Sequence, residues 1–327
     1  MTGLRMNLAG TYSRLHFAAL LLLFSPAFAS AATPQELLAA GHVDEVIPIL
    51  NQQIATRATD AEPYNLLCRA YYMLEEWDRG IEACERARSL DPQRSLYHLW
   101  LGRIYGEKAD HAGFLTAAGL AKKVRGSFER AVELDPRSWE ARTDLAEFYL
   151  EAPGIVGGGR DKASAQADEI MRLNPARAHW VQAKIAEKEK DTTSAEREYR
   201  AAIAASHSGV RERFDLGAFY FHTGRLDEMN QIMQTLDSGP VDYPASLRDA
   251  ASVLLRTGRD YPLAIRLLRR YLASPVEEAP AFKAHDMLGQ LLEKQGDRKA
   301  AAEEFRAALA LAHTYTRAQE DLKRVDH

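Results

Sequence analysis

The apolar positions of this chain recur at helical spacing, stop, and start again. In residues 61–94, Tyr64, Leu67 and Tyr71 share one face of a helix, and Gly80, Cys84 and Ala87 share a face of a second. Asp91 and Pro92 end the stretch, because proline cannot continue a helix. The pattern predicts two amphipathic helices joined by a turn, about 34 residues in all. Six further stretches follow the same plan. Leu101, Gly102 and Tyr105 precede Val124, Phe128 and Ala131; Leu145, Ala146 and Tyr149 precede Ala163, Ala167 and Ile170. Ala183 and Ala186 precede Ala195, Tyr199 and Ala202, and Leu216, Gly217 and Tyr220 precede Met229 and Met233. Ala251 and Leu254 precede Ala264, Leu268 and Tyr271, closed by Pro275, and Leu288, Gly289 and Leu292 precede Ala301, Phe305 and Ala308.

The small residues have a physical reason. Gly102, Gly217, Gly289 and Ala251 fall where the two helices of a pair cross, and a larger side chain there would force them apart. Gly224, Gly258 and Gly296 permit a left-handed backbone at the end of a first helix. Two pairs are too long for the period. The surplus lies at the turn inside each pair, in residues 107–123 and 151–162. Residues 32–60 read as a leading half-repeat, with Thr33 and Pro34 starting a helix and Gly41 breaking it. Residues 314–327 read as a closing helix, polar on most faces, of the kind that solubilises the end of such an array.

On these residues the chain resembles the tetratricopeptide repeat family, over roughly residues 34–313. The resemblance implies an all-α fold: a right-handed α-solenoid of about seven antiparallel helix pairs, spanning residues 61–313, with terminal capping helices. It also implies that the first helices line a concave groove holding a peptide or protein segment, and that the chain is not an enzyme. Members that bind chaperones clamp a carboxylate with Lys and Asn at set places. Asn65 and Arg69 occupy the comparable places here, a departure that puts that activity in doubt.

Projected onto that groove, unit one offers Asn65, Arg69 and Tyr72, unit two Arg103 and Glu107, and unit three Glu147. Unit four offers Trp180 and Lys184, unit five Phe214, Phe221 and His222, and unit six Arg248 and Arg256. Aromatic rings beside Arg and Lys suit an extended segment with acidic or carboxylate groups. The competing reading is plain helix packing for the rings and solvated surface for the charges.

The insertions carry the next candidates. His111, Phe114 and Leu115 lie in one, and Ile155, Val156 and Arg160 in the other. They should sit side by side on one rim. Their apolar side chains should pack on each other and on the solenoid, or serve a partner. The glycine-rich run Gly154 to Asp161 lacks the Lys and Ser/Thr of a phosphate loop, so it reads as a turn with Asp161 near an N-cap, and as a weak anion site at most. Cys68 and Cys84 face each other across unit one and are either a disulfide or two buried thiols. No spacing of His and Cys suggests a metal, and no cofactor motif is present.

Composition narrows the setting. Apolar residues make up 46% and charged residues 27% of 327, and the net charge of −4 gives no reason to expect nucleic acid. Arg5 and Arg14, an apolar run from Leu15 to Phe24, and the small residues around Ala29 make residues 1–31 a secretory signal peptide. That run is too short to span a bilayer, which takes about 20 apolar residues. The expectation is therefore an exported protein, periplasmic or extracellular, without a spanning helix in the mature chain. The favoured function is a non-catalytic scaffold of the cell envelope, holding a protein or peptide segment in the groove. The alternative is a ligand-binding or transport accessory protein with its site near the two insertions. The oligomeric state is left open.

Overall fold

A computed structural model describes residues 32–274 and 280–326. The expected signal peptide at 1–31 and Pro275 lie outside the described residues. Seventeen α-helices follow in order: α1 (Pro34–Ala39), α2 (Val43–Thr56), α3 (Ala61–Met73), α4 (Trp77–Leu90), α5 (Ser95–Asp110), α6 (Phe114–Leu134), α7 (Trp139–Glu151), α8 (Arg160–Met171) and α9 (Pro175–Lys188). Then come α10 (Thr192–Ala205), α11 (Val210–His222), α12 (Leu226–Gln234), α13 (Ala245–Thr257), α14 (Tyr261–Leu272), α15 (Ala281–Lys294), α16 (Arg298–Leu311) and α17 (Thr316–Val325). They pair as α1–α2 through α15–α16, with α17 alone at the end.

Local chemistry starts and stops these helices. Thr33 caps α1 in a reciprocal box: its hydroxyl accepts from the Glu36 N–H, and the Glu36 carboxylate accepts from the Thr33 N–H at 2.7 Å. Ser138, Asn174, Asp191 and Asp297 cap α7, α9, α10 and α16 in the simpler way. At the crossings the predicted demand for small residues is visible. A methyl group on Gly289 would sit 2.5 Å from the Phe305 ring, and one on Gly102 2.4 Å from the Phe128 ring.

Curvature follows from which helices touch. The first helices of successive pairs pack side by side (α7 on α9, α9 on α11, α11 on α13, α13 on α15, α15 on α17), while contacts between successive second helices are far sparser. The array therefore bends toward its first helices, which form the inner layer.

Bending continues until the two ends meet. Gly41, at the turn after α1 with φ +80°, comes so close to Ala281 that a Cβ there would lie 2.9 Å from the alanine Cβ. The end of α16 abuts the start of α2. Lys283 pairs with Glu75, and His313 donates its backbone N–H to Asp44 at 2.6 Å. Phe282 is fully buried and meets the Tyr315 ring edge-on at 5.0 Å. Phe282, Ala308, Ala312 and Ala318 join the same buried cluster as Leu37, Leu38 and Val43. Pair α15–α16 thus stacks end-on over pair α1–α2 after one superhelical turn of seven pairs. Seven helices about 8–10 Å apart place their axes on a circle of roughly 10 Å radius. Helices with side chains are 10–12 Å across, so the bore is about 10 Å.

Two expectations about the insertions change. The first is not a loop: α5 runs on to Asp110, and α6 takes 21 residues where α4 takes 14. The surplus is a helical hairpin projecting about 10 Å from the rim, at 1.5 Å per residue. In the second, Asp161 is not the cap; α8 starts at Arg160 after Gly159.

Candidate functional site: the inner wall

The inner wall is built from salt bridges and ring contacts, several of which pass from one first helix to the next. Trp100 on α5 is 2% exposed and lies between two guanidinium groups, Arg69 from α3 and Arg103 from its own helix, each 5.0 Å from its ring. Arg103 reaches on to Asp144 of α7 at 2.7 Å. Tyr72 donates to Glu107 at 2.9 Å, and burial together with the Glu107 carboxylate pushes its hydroxyl well above the usual phenol range. Trp77 and the rim residue His111 stack beside this cluster at 5.7 Å.

Two pairs on, Arg177 of α9 is buried against the Trp180 face at 4.1 Å and donates to Asp215 of α11 at 2.9 Å. Burial pushes the Asp215 carboxyl up, and the adjoining Arg177 guanidinium opposes it. Lys184 lies 3.9 Å from Glu187 on its own helix, and Arg248 bonds Asp249 at 2.6 Å. Arg211, at the start of α11, lies over Tyr243 at 4.3 Å and at 5.9 Å from Trp139.

This wiring corrects the expectation of a basic groove for an acidic segment. Arg103, Lys184 and Arg248 carry positive charge, but each already has a carboxylate beside it. Glu147 is the reverse case. It is exposed, and among the described residues it makes no hydrogen bond or ion pair. The protein around it, and then Asp144, hold its carboxyl above the usual range. Arg256 and His222 are also exposed, Arg256 lying 5.2 Å from the Phe221 ring. Trp180, Phe214 and Phe221 are half-buried, serving both packing and surface.

Asn65 departs from its expected place. It is fully enclosed, and neither amide atom has a hydrogen-bond partner among the described residues, so it does not face a ligand. Sequence reasoning missed Trp100, Asp144, Arg177, Arg211 and Asp215. Asp144 and Asp215 stand on the flank where one first helix meets the previous one, beside the inward face that was projected. Arg177 and Arg211 lie in first turns directly after the Asn174–Pro175 stop and Gly209, where the start of the helix was not drawn.

On the rim, of the two readings for the apolar insertion residues, packing holds for Val156 and not for Phe114, Leu115 or Ile155. Phe114 and Leu115 are each 86% exposed and Ile155 is 91% exposed, while Val156 is buried. Arg125 of α6, just past the first insertion, donates to the Val156 carbonyl of the second at 3.2 Å. Arg160 is not free for an anion, since it pairs with Glu189 at 2.7 Å. The glycine run folds onto its own backbone: Gly159 donates to the Tyr149 carbonyl at 2.8 Å and Gly158 to Pro153. Of the two readings for the cysteines, the disulfide holds: Cys68 and Cys84 are bonded, with Cα atoms 5.2 Å apart. No cluster of potential metal ligands occurs among the described residues, nor a helix long and apolar enough to cross a membrane.

Comparison with known proteins agrees with this architecture. Residues 248–316 match the tetratricopeptide repeat family model. A stretch of 105 residues is 32% identical to the tetratricopeptide repeat and J domain-containing co-chaperone DNJ1 of Cryptococcus neoformans, covering 31% of this chain and 19% of that protein. The crystal structure of yeast Tom70 superposes over 92% of this chain and 65% of its own, with a TM-score of 0.53 and 14% identity. TTC0263, a protein of Thermus thermophilus, aligns over 65% of this chain and all of its own, at 21% identity and a TM-score of 0.43. The fold is a right-handed α-solenoid of tetratricopeptide type, a helical repeat scaffold.

Proposed function

We propose that this protein is an exported, non-catalytic scaffold that holds an extended segment of a partner protein inside the ring of first helices. The observation that carries the proposal is the inner wall itself. Its side chains are fixed by pair-to-pair ion pairs and ring stacking, so a partner meets a preformed surface rather than ordering one. A bore of about 10 Å takes a single extended chain, whereas a helix of 10–12 Å would displace wall side chains. Glu147, His222 and Arg256 are the charged or titratable groups left over to meet it. The mixed signs favour a segment carrying both a cation and an anion, in place of the acidic one expected from sequence.

Localisation rests on the N-terminal pattern and draws support from the Cys68–Cys84 bond, since disulfides persist in oxidising compartments. The alternative, a small molecule held near the two insertions, draws no support from Phe114 and Ile155, which face solvent. Photo-cross-linking residues placed at Phe214 or Phe221, compared with Phe114 on the rim, test the proposal. Partner adducts from the two inner positions, weakened by Glu147→Gln, are expected. Adducts from Phe114 alone would transfer the binding surface to the rim.

A further inference from the structure

We propose that the ring opens at the seam between pair α1–α2 and pair α15–α16, and that this opening is the lateral way into the bore. The seam differs in kind from every other boundary of the array. Elsewhere neighbouring pairs lie flank to flank. At the seam helix ends meet helix ends: α1 points at the start of α15, and α16 at the start of α2. The residues in contact are 208 positions apart at Lys283 and Glu75, and 269 apart at His313 and Asp44, so parting them breaks no chain connection.

What holds the seam is one apolar patch and two ion pairs. Its apolar part is Gly41 against Ala281 and the buried cluster in which Phe282, Ala308, Ala312 and Ala318 join Leu37, Leu38 and Val43. Its ionic part has one exposed partner in each pair: the Glu75 side chain is 56% accessible against 24% for Lys283, and the His313 side chain 75% against 28% for Asp44. Such pairs are screened by water and salt and hold weakly. The rest of the ring multiplies the motion. In a repeat array each pair contacts only its neighbours, so small rotations at successive boundaries add. Opening the seam by about 10 Å asks for only 1–2 Å at each of the boundaries between. A partner segment with folded domains on both sides cannot thread an uninterrupted ring; through an open seam it enters sideways.

The test needs no partner, so failure to find one leaves this inference standing, and failure of this test leaves the cross-linking result intact. Ser252→Cys places one thiol at the inner-wall position equivalent to Arg103 and Glu147, while the native cysteines are bonded to each other. Labelling with a small maleimide and with a 5-kDa polyethylene-glycol maleimide is followed in three backgrounds: unaltered, Asp44→Ala with Lys283→Ala, and Asp44→Cys with His313→Cys oxidised to lock the seam. Asp44 and Lys283 are half-buried and His313 is exposed. Spin labels at Glu45 and Ala310, flanking the seam, report its distance distribution directly, with Arg88 and Lys122 as a pair across an ordinary boundary. The expected result is bulky labelling at least tenfold faster in the Asp44→Ala, Lys283→Ala background and suppressed in the locked one. Small-reagent rates should stay within twofold, and a longer distance should appear only for the seam pair. Equal bulky labelling in all three backgrounds, or an unchanged seam distance in the Asp44→Ala, Lys283→Ala protein, overturns the proposal.

Discussion

The substitution Asp215→Ala isolates the most deeply buried ion pair described in the wall. It removes the carboxylate that accepts from Arg177 and leaves a guanidinium whose side chain is 3% exposed. Arg177 Nε already lacks a partner, and Glu212, the other carboxylate that acts on the guanidinium, makes no hydrogen bond to it. The Trp180 face at 4.1 Å remains, but a cation–π contact offsets only about 1–2 kcal/mol. Breaking a buried pair from one side costs about 3–5 kcal/mol, because the cost is that of a stranded charge. Replacing both partners, with Arg177→Met and Asp215→Leu, should return stability to within about 1 kcal/mol of the unaltered protein, since no buried charge is left. Long repeat arrays unfold with imperfect cooperativity, so hydrogen exchange of α9 and α11 amides is a better assay than one melting temperature. Exchange in those helices should accelerate in Asp215→Ala and recover in the double variant, with α3 unchanged in both. A single variant costing under 1 kcal/mol, or a double variant worse than the single, would refute the reasoning.

Other consequences follow from named contacts. Gly289→Ala places a methyl group 2.5 Å from the fully buried Phe305 ring and should destabilise by about 1–3 kcal/mol, whereas Gly126→Ala, in open helix surface, should gain up to about 1 kcal/mol; urea titration ranks the two. Cys68 and Cys84 close a loop 16 residues apart, so Cys68→Ala with Cys84→Ala should lose about 3 kcal/mol, seen as earlier unfolding of α3 and α4 under denaturant. Burial and the neighbouring Asp321 raise the Asp286 carboxyl to about 6, from 3.8. Because the folded value is the higher one, this carboxyl disfavours folding above pH 6, and stability is regained as pH falls from 6 toward 4. Asp286→Asn should abolish that gain, by about 3 kcal/mol at most, in the exchange of α17 amides measured from pH 7 to pH 4.5. Glu196 acts in the opposite sense: held at about 2, chiefly by the Arg225 hydrogen bond, it loses its contribution as pH falls below its ordinary 4.5.

The repeating helix pairs were legible because their determinants are local. Tyr71, Cys84 and Phe128 recur at helical spacing, and Gly102 and Gly289 mark crossings that admit no side chain. The disulfide was half legible: the two cysteines faced each other, but spacing alone could not separate a bond from two thiols. Ring closure was not legible. It depends on the summed rotation of seven pairs, and the residues that meet, Gly41 with Ala281 and Asp44 with His313, carry no shared pattern. The inner wall was legible only as a set of directions. Projection of a helix face gave Arg103 and Glu147 but not the partners that decide whether a charge is spent, since Asp144 and Asp215 come from the next helix. The rim failed for a related reason. Lengthening α6 carries Phe114 and Leu115 beyond anything they could pack on, and helix length was underestimated where the surplus at 107–123 was placed in a turn.

Zero-length carbodiimide cross-linking of the monomer, read by peptide mass spectrometry, tests closure most directly. Lys283 and Glu75 touch only if the superhelix completes its turn, whereas Lys188 and Glu151, 2.5 Å apart on adjacent pairs, touch in any solenoid. A closed ring predicts both links in the same sample. A Lys188–Glu151 link without any between Lys283 and Glu75 would contradict it.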